Sequence, residues 1–363
     1  MRAAVIGTGR MGGAISWALD KLSDLDVLTL VDSNSDSLNQ CANDIERSPI
    51  KSCLLSEWTP DYSPLSGNDM VVSAMPYHQN WKVAKFCIDH NIPYCDLGGH
   101  VETSKKINEY AALKGRVVIT DLGLAPGWVN ILAEHGYQSG DANNVLASVP
   151  QTVEMMVGGL PIDPDNYLKY SCTWSYDGLV NEYKDQCEVL IDGSREMVDG
   201  MSGLTTIKTS LGLMEAFYTS GGASHTIKTM SRRGVQNCTY KTIRYQGHCD
   251  AMKFLINECG LKDEALADLL KHACPPAEDL VIVKVRVGDY KNIADWTTEK
   301  IIYSNDKFSA MQMATAFPVA VVATIMGHKD RDELGTGPLS YRDIACSYEE
   351  FDNSLEYLFR EVK

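Results

Sequence analysis

The sequence lacks the paired cysteines that mark disulfide-rich and zinc-binding proteins. It contains 11 cysteines, an odd number, and no two of them are spaced as C-x-x-C. Scattered cysteines of this kind are typical of reduced thiols in the core of a protein from a reducing compartment. We therefore expect neither a disulfide framework nor a metal site. We interpret Cys95, which precedes a glycine-rich loop, as a buried thiol without a chemical role.

Basic residues are also scarce. The chain has 33 Lys and Arg against 48 Asp and Glu, which gives a formal net charge of −15. This excess of negative charge argues against nucleic acid or an anionic membrane as a partner. We expect no apolar run long enough to cross a bilayer. The first apolar run begins at Ala3 and leaves no room for a signal or transit peptide, so we expect a cytoplasmic protein.

Internal repeats, linkers and low-complexity segments are not evident either. The 363 residues, of which 44% are hydrophobic, suffice for two globular domains with sizeable cores. The feature around which the chain is organised lies in residues 3–32. A short apolar run ends at Gly7, the spacing G-x-G-x-x-G continues through Gly9 and Gly12, a helical pattern follows, and Asp32 ends the next apolar run.

This spacing has a mechanical reason in dinucleotide-binding proteins. The first glycine permits the tight turn from strand to helix, the second lets a pyrophosphate lie against the backbone, and the third lets the helix pack closely on the strand. The first N–H groups of the helix have no partner within it and face the phosphates. The pattern therefore predicts a dinucleotide site at the start of the first helix.

The same segment also predicts which dinucleotide is bound. The Asp32 carboxylate can accept hydrogen bonds from both ribose hydroxyls and would repel a 2′-phosphate. The three residues that follow it, Ser33, Asn34 and Ser35, offer no arginine to hold such a phosphate. This favours NAD over NADP. Later strand ends should bring further backbone to the same crevice. The predicted cofactor-binding residues are Gly7, Gly9, Arg10, Met11, Gly12, Asp32, Ser33, Ala74, Met75, Pro76, Leu97, Gly98 and Gly99.

The pattern of apolar residues changes along the chain and predicts two domains. The first part alternates strands with helices, and residues 69–74 and 116–120 are its fourth and sixth strands, so we expect a doubly wound parallel sheet of the Rossmann type. After about residue 140 the pattern favours an α+β domain with a mixed, mostly antiparallel sheet. Residues 309–326 predict a broad apolar helix that packs back on the first domain. The domains are thus residues 1–125 with about 309–363, and residues 126–308.

Within the second domain the pattern separates β-rich runs from helices. We expect helices around residues 211–217 and 251–258. The predicted strands are residues 153–157, 170–174, 188–191, 240–245, 280–287 and 300–303.

Several longer motifs make the chain resemble the saccharopine dehydrogenase-like amino-acid oxidoreductases. They occur in the family's order at residues 96–100 (DLGGH), 121–130 (DLGLAPGWVN), 157–161 (VGGLP), 217–222 (FYTSGG) and 240–248 (YKTIRYQGH). The resemblance is strongest to the lysine 6-dehydrogenase branch. It implies a Rossmann domain, a substrate domain, oxidation of a C–N bond and a homodimer or higher homo-oligomer. Saccharopine-forming members tend to carry Asp where this chain has Ala125, which weighs against saccharopine as the substrate.

Oxidising an amine to an imine requires a base near the nitrogen and an anchor for the substrate carboxylate. Arg244 is our predicted anchor, because a guanidinium can bind a carboxylate with two parallel hydrogen bonds and because its segment resembles the family's substrate-binding segment. If the strand continues, Tyr240 and His248 share its face and would also bind substrate, with Lys241 behind them.

The candidate catalytic residues are His225, Lys241 and His100, each of which could instead be structural. His225 follows a glycine-rich loop, and His100 could instead cap its loop in the manner of an asparagine. We expect Asp121 to brace its loop. Asn130 could cap its helix or contact the cofactor amide.

These observations lead to one functional hypothesis and two alternatives. We expect an NAD-dependent enzyme that oxidises lysine or a similar diamino acid, so that its partner is a small-molecule amino-acid substrate. An enzyme of reductive condensation, as in saccharopine or carboxynorspermidine formation, is the first alternative. A non-catalytic NAD-binding protein is the second.

Overall fold

A computed structural model describes residues 1–56, 60–142, 151–289, 296–329 and 331–362. The chain separates into two compact units, one of Met1–Trp128 with Gln312–Lys363 and one of Val129–Met311. The predicted α/β architecture is confirmed, with one parallel sheet and one mixed, mostly antiparallel sheet.

The first unit is built on a parallel sheet of six strands. Its sheet order is β3-β2-β1-β4-β5-β6, the doubly wound order in which the chain reverses direction between β1 and β4. Strand β1 is buried at four of its five residues, as expected for a parallel strand that is covered on both faces. The elements are β1 (Arg2–Ile6), α1 (Arg10–Leu22), β2 (Val27–Asp32), α2 (Ser35–Asn43), β3 (Ile50–Leu54), β4 (Met70–Ser73), α3 (Tyr77–Asp89), β5 (Tyr94–Asp96), α4 (Val101–Lys114) and β6 (Val118–Ile119).

The second unit contains a sheet that has eight strands among the residues that the structure describes. Its main order is β10-β11-β12-β7-β13-β14, with β8 paired to β12 and β9. Only the β12–β7 pair is parallel among these pairings. The elements are α5 (Trp128–Ala142), β7 (Thr152–Pro161), α6 (Tyr176–Lys184), β8 (Cys187–Ile191), β9 (Ser194–Val198), β10 (Thr205–Thr209), β11 (Gly212–Tyr218), α7 (Thr226–Arg232), β12 (Asn237–Arg244), α8 (His248–Lys253), a π-helical turn (Phe254–Glu258), α9 (Asp263–Ala273), β13 (Asp279–Gly288) and β14 (Trp296–Tyr303).

Two sequence predictions for this unit are wrong. Residues 211–217, predicted to be helical, lie mainly in β11, which pairs with β10 and β12. Residues 170–174, predicted to be a strand, lie outside the strands, and Tyr170 and Cys172 pack in a hydrophobic core. Both segments are short apolar runs, for which periodicity alone does not separate helix from strand.

The chain ends with helices that complete the first unit: α10 (Ala310–His328), α11 (Arg331–Leu334), α12 (Tyr341–Ala345) and α13 (Tyr348–Glu361). The Phe317 ring of α10 stacks on Trp17 of α1, with 5.6 Å between ring centroids. Phe359 of α13 contacts the rings of Phe317 and Trp128 at 5.5 and 6.0 Å. The first unit is thus built from both ends of the sequence.

Helix α10 corrects one expectation from the sequence. Its 19 residues have a mean hydropathy of 1.5 over the most apolar window, so by length and composition alone it could cross a membrane. In the structure 72% of that window is buried, and a core helix in a globular protein has the same composition. The apolar run is long because the helix is buried on most of its circumference.

Candidate functional site

The turn between β1 and α1 accepts only glycine at two positions. Gly7 has φ +88°, and a Cβ atom there would lie 2.9 Å from the backbone carbonyl of Ala74. A Cβ atom on Gly12 would lie 1.6 Å from the Gly7 carbonyl oxygen. The first turn of α1 therefore packs directly against the end of β1, as the predicted motif requires.

Gly9 differs from its two neighbours because the space beside it is open. A Cβ atom there would meet no heavy atom within 4 Å, and Gly9 precedes α1 without a side chain that caps the helix. Arg10 and Met11 form the first turn, where backbone N–H groups have no intrahelical partner. An open backbone surface at a helix N-terminus fits a pyrophosphate group, so this turn is suited to hold the dinucleotide.

The Asp32 carboxylate is held at the end of β2 by the β1–α1 turn and by its own loop. One oxygen accepts hydrogen bonds from the backbone N–H of Thr8 at 2.5 Å and from the Thr8 hydroxyl at 3.1 Å. The other accepts from the backbone N–H of Asn34 at 2.9 Å. Asp32 is half-buried and the next residue, Ser33, is exposed. The three hydrogen bonds therefore hold the negative charge at a defined position at the carboxyl edge of the sheet.

The remaining predicted cofactor residues follow β4 and β5, at the same edge of the sheet. Ala74 and Met75 are half-buried and Pro76 is exposed. Leu97, Gly98 and Gly99 come directly after β5. Gly98 has φ +76°, and a Cβ atom on it would lie 2.3 Å from a carboxylate oxygen of Asp121. The DLGGH loop thus packs tightly against the end of β6.

Two buried carboxyl groups hold these loops together. Asp96 accepts hydrogen bonds from the backbone N–H groups of Gly98 at 2.9 Å and Asp121 at 3.2 Å, and from the Tyr94 hydroxyl at 2.9 Å. Asp121 accepts from the Ser104 hydroxyl at 2.6 Å, so it braces its loop as predicted. Burial raises the pKa of Asp96 to about 7, and the nearby Asp121 carboxylate adds to the rise.

Asp96 should make stability depend on pH. Its ordinary pKa is 3.8, so as pH rises the unfolded chain loses this proton before the folded chain does. The stabilisation is complete below about pH 4 and is lost as the pH rises to about 7. We expect the Asp96→Asn variant, which mimics the protonated form, to lack this decline in stability, which is on the order of 4 kcal/mol. Urea unfolding at several pH values would measure it, and parallel curves for both proteins would contradict it.

His100 caps a helix in the structure. The backbone N–H of Thr103 approaches His100 Nδ1 at 3.4 Å, at the start of α4. The exposed imidazole also stacks on the Tyr77 ring, with 5.3 Å between centroids. Of the two roles that the sequence allowed, the geometry therefore supports the structural one.

The second unit contains the predicted carboxylate anchor in a buried polar cluster. Arg244 ends β12 and is 3% exposed. Its Nε–H donates to the Tyr183 hydroxyl at 2.9 Å, and Nη1 donates to the Ile243 carbonyl at 3.0 Å. The guanidinium lies 4.7 Å from the centroid of the Tyr170 ring. Two of the five guanidinium N–H groups are thus hydrogen-bonded within the described residues.

His248 is not on the strand, contrary to the prediction. Strand β12 ends at Arg244, and Gly247, with φ +94°, is the N-cap residue that precedes α8. His248 is 1% exposed. Its Nδ1 lies 2.7 Å from the Leu168 carbonyl and its Nε2 lies 2.8 Å from the Tyr183 hydroxyl. Burial and the Arg244 charge lower the pKa of His248 to about 3.

The neutral His248 ring determines which atoms of this cluster donate and which accept hydrogen bonds. A carbonyl oxygen only accepts, so we assign the proton to Nδ1, which donates to Leu168. Nε2 then accepts from Tyr183, whose oxygen in turn accepts from Arg244 Nε. His248 therefore positions the tyrosine that orients Arg244, and this chain of bonds replaces the predicted contact between His248 and substrate.

The other predicted residues of β12 lie on opposite faces. Tyr240 is 5% exposed and its ring packs over Gly222, on the side that Arg244 shares by strand alternation. Lys241 points the other way, where its ammonium donates to the Gly203 carbonyl at 2.6 Å and to the Thr205 hydroxyl at 3.1 Å. This separates the predicted catalytic lysine from Arg244.

His225 and Asn130 lie near one another in the second unit. His225 precedes α7, and its Nδ1 is 3.3 Å from the Ser224 hydroxyl. The Asn130 amide is completely buried and donates to the Ala223 carbonyl at 3.0 Å and to the Thr226 hydroxyl at 2.9 Å. Asn130 does not cap its helix, because it lies within α5, and its amide instead ties down the loop that carries His225.

The sequence analysis missed Glu182. One carboxylate oxygen accepts from the hydroxyls of Thr219 at 3.0 Å and Thr242 at 2.7 Å, and the other lies 3.8 Å from Arg244 Nη2. Both threonines fall within motifs already noted in the sequence. Thr242 lies two residues before Arg244 on β12, so the two side chains share one face of the strand. No pattern in α6 itself distinguished Glu182 from a solvated helix residue.

Comparison with known families agrees with this geometry. A family model described as the saccharopine dehydrogenase NADP binding domain matches residues 3–118. A second, described as the saccharopine dehydrogenase C-terminal domain, matches residues 123–338. The chain therefore carries the NAD(P)-binding domain of that family in residues 3–118, the part that contains the glycine-rich turn.

Individual relatives are distant and longer. The mitochondrial alpha-aminoadipic semialdehyde synthase of Mus musculus is 22% identical over 277 residues, which cover 75% of this chain and 30% of that protein. A saccharopine dehydrogenase (NADP(+), L-glutamate-forming) of Schizosaccharomyces pombe is 24% identical over 227 residues, 58% of this chain and 47% of that protein. The chain spans less than half the length of these relatives.

Two structures share the fold over nearly the whole chain. Apo saccharopine dehydrogenase (L-Glu forming) from Saccharomyces cerevisiae has a TM-score of 0.75 at 16% identity, covering 98% of this chain and 96% of that one. Homospermidine synthase from Legionella pneumophila in complex with NAD has a TM-score of 0.67 at 11% identity, covering 98% and 89%. Since the C-terminal-domain model alone matches more than half of the sequence, the chain belongs to the saccharopine dehydrogenase family.

Proposed function

We propose that this protein is an NAD-dependent oxidoreductase that oxidises a C–N bond of an amino acid, lysine or a similar diamino acid, to an imine. The observation that carries the proposal is Arg244, a buried cation with N–H groups left for a ligand. A buried guanidinium of this kind binds a carboxylate with two parallel hydrogen bonds. Membership in the saccharopine dehydrogenase family supports the reaction class.

The reaction removes a hydride from carbon and a proton from nitrogen, and leaves a C=N bond. When bound, the nicotinamide accepts that hydride with its two electrons. Arg244 fixes the substrate by its carboxylate, which limits the positions that the reacting carbon can take. For the base we keep His225, because a neutral imidazole nitrogen can accept a proton from the substrate nitrogen and because this one is half-buried beside a glycine-rich loop.

The cofactor proposal rests on Asp32. Its carboxylate would repel a 2′-phosphate, so NAD is favoured even though the matching family model is that of an NADP binding domain. We expect Asp32→Asn, which keeps an oxygen to accept from Thr8, to lower the ratio of kcat/KM for NAD to that for NADP about tenfold or more. Steady-state kinetics with both cofactors would measure the ratio. An unchanged ratio, or a wild-type preference for NADP, would contradict the role of Asp32.

The proposed function is tested by a substrate panel. Purified protein is incubated with NAD or NADP and with L-lysine, L-ornithine, other L-amino acids or saccharopine, and the absorbance of the reduced nicotinamide is followed. We expect turnover of a diamino acid with NAD. Absence of turnover with every one of these compounds, despite measurable cofactor binding, would refute the proposed oxidation. If the reductive assay described next were negative as well, a non-catalytic NAD-binding protein would be favoured.

A reductive condensation enzyme is the second candidate. The fold shared with homospermidine synthase and the names of the sequence relatives favour it, whereas Ala125, in place of the expected Asp, weighs against saccharopine itself. Supplying an amine, a keto or aldehyde acid and NADH or NADPH would reveal this activity as oxidation of the cofactor. For either enzyme we propose a homodimer or higher homo-oligomer, which light scattering would test.

A further inference from the structure

Glu182 and Arg244 form an ion pair that is close but not hydrogen-bonded. The nearest carboxylate oxygen lies 3.8 Å from Arg244 Nη2, and the two side chains are 14% and 4% exposed. A direct hydrogen bond between such groups would have a length of about 2.8 Å. Both groups therefore keep hydrogen-bonding capacity on the side where they approach each other.

The carboxylate is held in this position from behind. The hydroxyls of Thr219 and Thr242 both donate to one oxygen, Oε1, and lie 3.2 Å from each other. The backbone N–H of Ser220 also donates to the Glu182 carbonyl at 3.0 Å. The oxygen that approaches Arg244, Oε2, accepts no hydrogen bond within the residues that the structure describes. Two threonines thus fix Glu182 while one of its oxygens stays available.

The guanidinium is held in the same way. Tyr183 accepts from Nε and Ile243 accepts from Nη1, which leaves Nη2 as the end that approaches Glu182. A buried pair of opposite charges is stable only when further hydrogen bonds satisfy its remaining donors and acceptors. A ligand that carries both a negative and a positive group would supply them.

An α-amino acid is such a ligand, because its carboxylate and ammonium groups sit on one carbon. We propose that Glu182 binds the α-ammonium group of the amino acid whose carboxylate is bound by Arg244. The four groups then alternate in charge around a ring. This inference rests on the proposed function, since it takes Arg244 as the carboxylate anchor, and it adds the group that selects an α-amino acid over a simple carboxylic acid.

The proposal also determines which nitrogen reacts. An α-ammonium group that donates to Glu182 stays protonated, and a protonated nitrogen has no electron pair with which to form the C=N bond as hydride leaves. The reacting nitrogen is therefore on the side chain, and the product is an imine at the end of the side chain that keeps its α-amino group. The substrate class is thus an α-amino acid with a second, distal amine.

The experiment compares two ligands that differ only in the α-amino group. L-lysine and 6-aminohexanoate are tested on wild type and on Glu182→Gln, which keeps an oxygen to accept from the threonines. For wild type we expect a KM about ten to a hundred times lower with L-lysine than with 6-aminohexanoate. In Glu182→Gln this difference should disappear, because the KM for L-lysine rises and that for 6-aminohexanoate stays the same. Calorimetric Kd values with NADH bound provide the same comparison without turnover.

The outcomes separate this inference from the function on which it rests. If Glu182→Gln weakens both ligands equally, the residue is structural and the inference is overturned while the function stands. If wild type does not distinguish the two ligands, the inference is also overturned. If neither ligand nor any other amino acid binds or reacts although NAD binds, the proposed function fails and the inference fails with it.

Discussion

The Arg244→Ala variant is expected to raise the KM for the amino-acid substrate about a hundredfold or more, while the KM for NAD changes little. Removing one partner of a buried, hydrogen-bonded charge pair costs about 2 to 5 kcal/mol, and each 1.4 kcal/mol corresponds to a factor of about ten. The NAD site lies in the other unit of the chain, on the β1–α1 turn. Initial-rate kinetics with each substrate varied in turn would separate the two constants.

The matched variant is Arg244→Lys, which keeps the positive charge beside Glu182. A lysine ammonium cannot present the planar pair of N–H donors that binds a carboxylate, nor reach Tyr183 in the same geometry. We expect it to be more stable than Arg244→Ala but still to have a raised KM for the amino acid. If Arg244→Lys were kinetically equal to wild type, only the charge would matter, and an equal rise of both KM values would show a general loss of structure.

The second large effect is expected at Gly12. In Gly12→Ala the new Cβ atom would lie 1.6 Å from the Gly7 carbonyl oxygen. Neither atom belongs to a flexible side chain, so α1 must move away from the end of β1. We expect a loss of stability of about 3 kcal/mol or more and loss of measurable NAD affinity. Denaturant unfolding and a fluorescence titration with NADH would measure the two effects.

The neighbouring glycines provide the controls. A Cβ atom on Gly13 would come no closer than 3.9 Å to any heavy atom, so Gly13→Ala should stabilise the helix by about 0.5 to 1 kcal/mol. Gly9→Ala has open space and should leave stability unchanged while it weakens NAD binding. If Gly12→Ala resembled Gly13→Ala in both measurements, the close contact in the β1–α1 turn would not be essential.

Much of the first unit could be predicted because its local sequence patterns favour the same structure as the tertiary fold. Buried parallel strands have continuous apolar runs, and the glycine spacing specifies a turn whose steric reason the structure displays at Gly7 and Gly12. The β11 segment was assigned to a helix for the opposite reason. Seven residues that are mostly apolar fit either period, and the pairing with β10 and β12 that decides the outcome involves distant sequence.

The substrate cluster was predicted in part, for equally physical reasons. Arg244 and Tyr240 lie on one face because strand alternation holds through residue 244. The prediction for His248 extended that alternation across Gly247, where the left-handed backbone conformation ends the extended chain. Glu182 and Tyr183 could not be found, since they approach Arg244 from a helix about sixty residues earlier. Only the tertiary fold brings such residues together.

The path of the chain has a consequence for how the protein is made. Residues 1–128 are synthesised before residues 312–363, with which they form one unit. The Trp17 ring can therefore stack on Phe317, and Trp128 can contact Phe359, only after those later residues have been synthesised. During translation the nucleotide-binding sheet must therefore persist with one flank uncovered while more than a hundred and eighty residues of the other unit are synthesised. Until α10 and α13 are synthesised, Trp17 and Trp128 lack the aromatic partners that cover them in the folded chain.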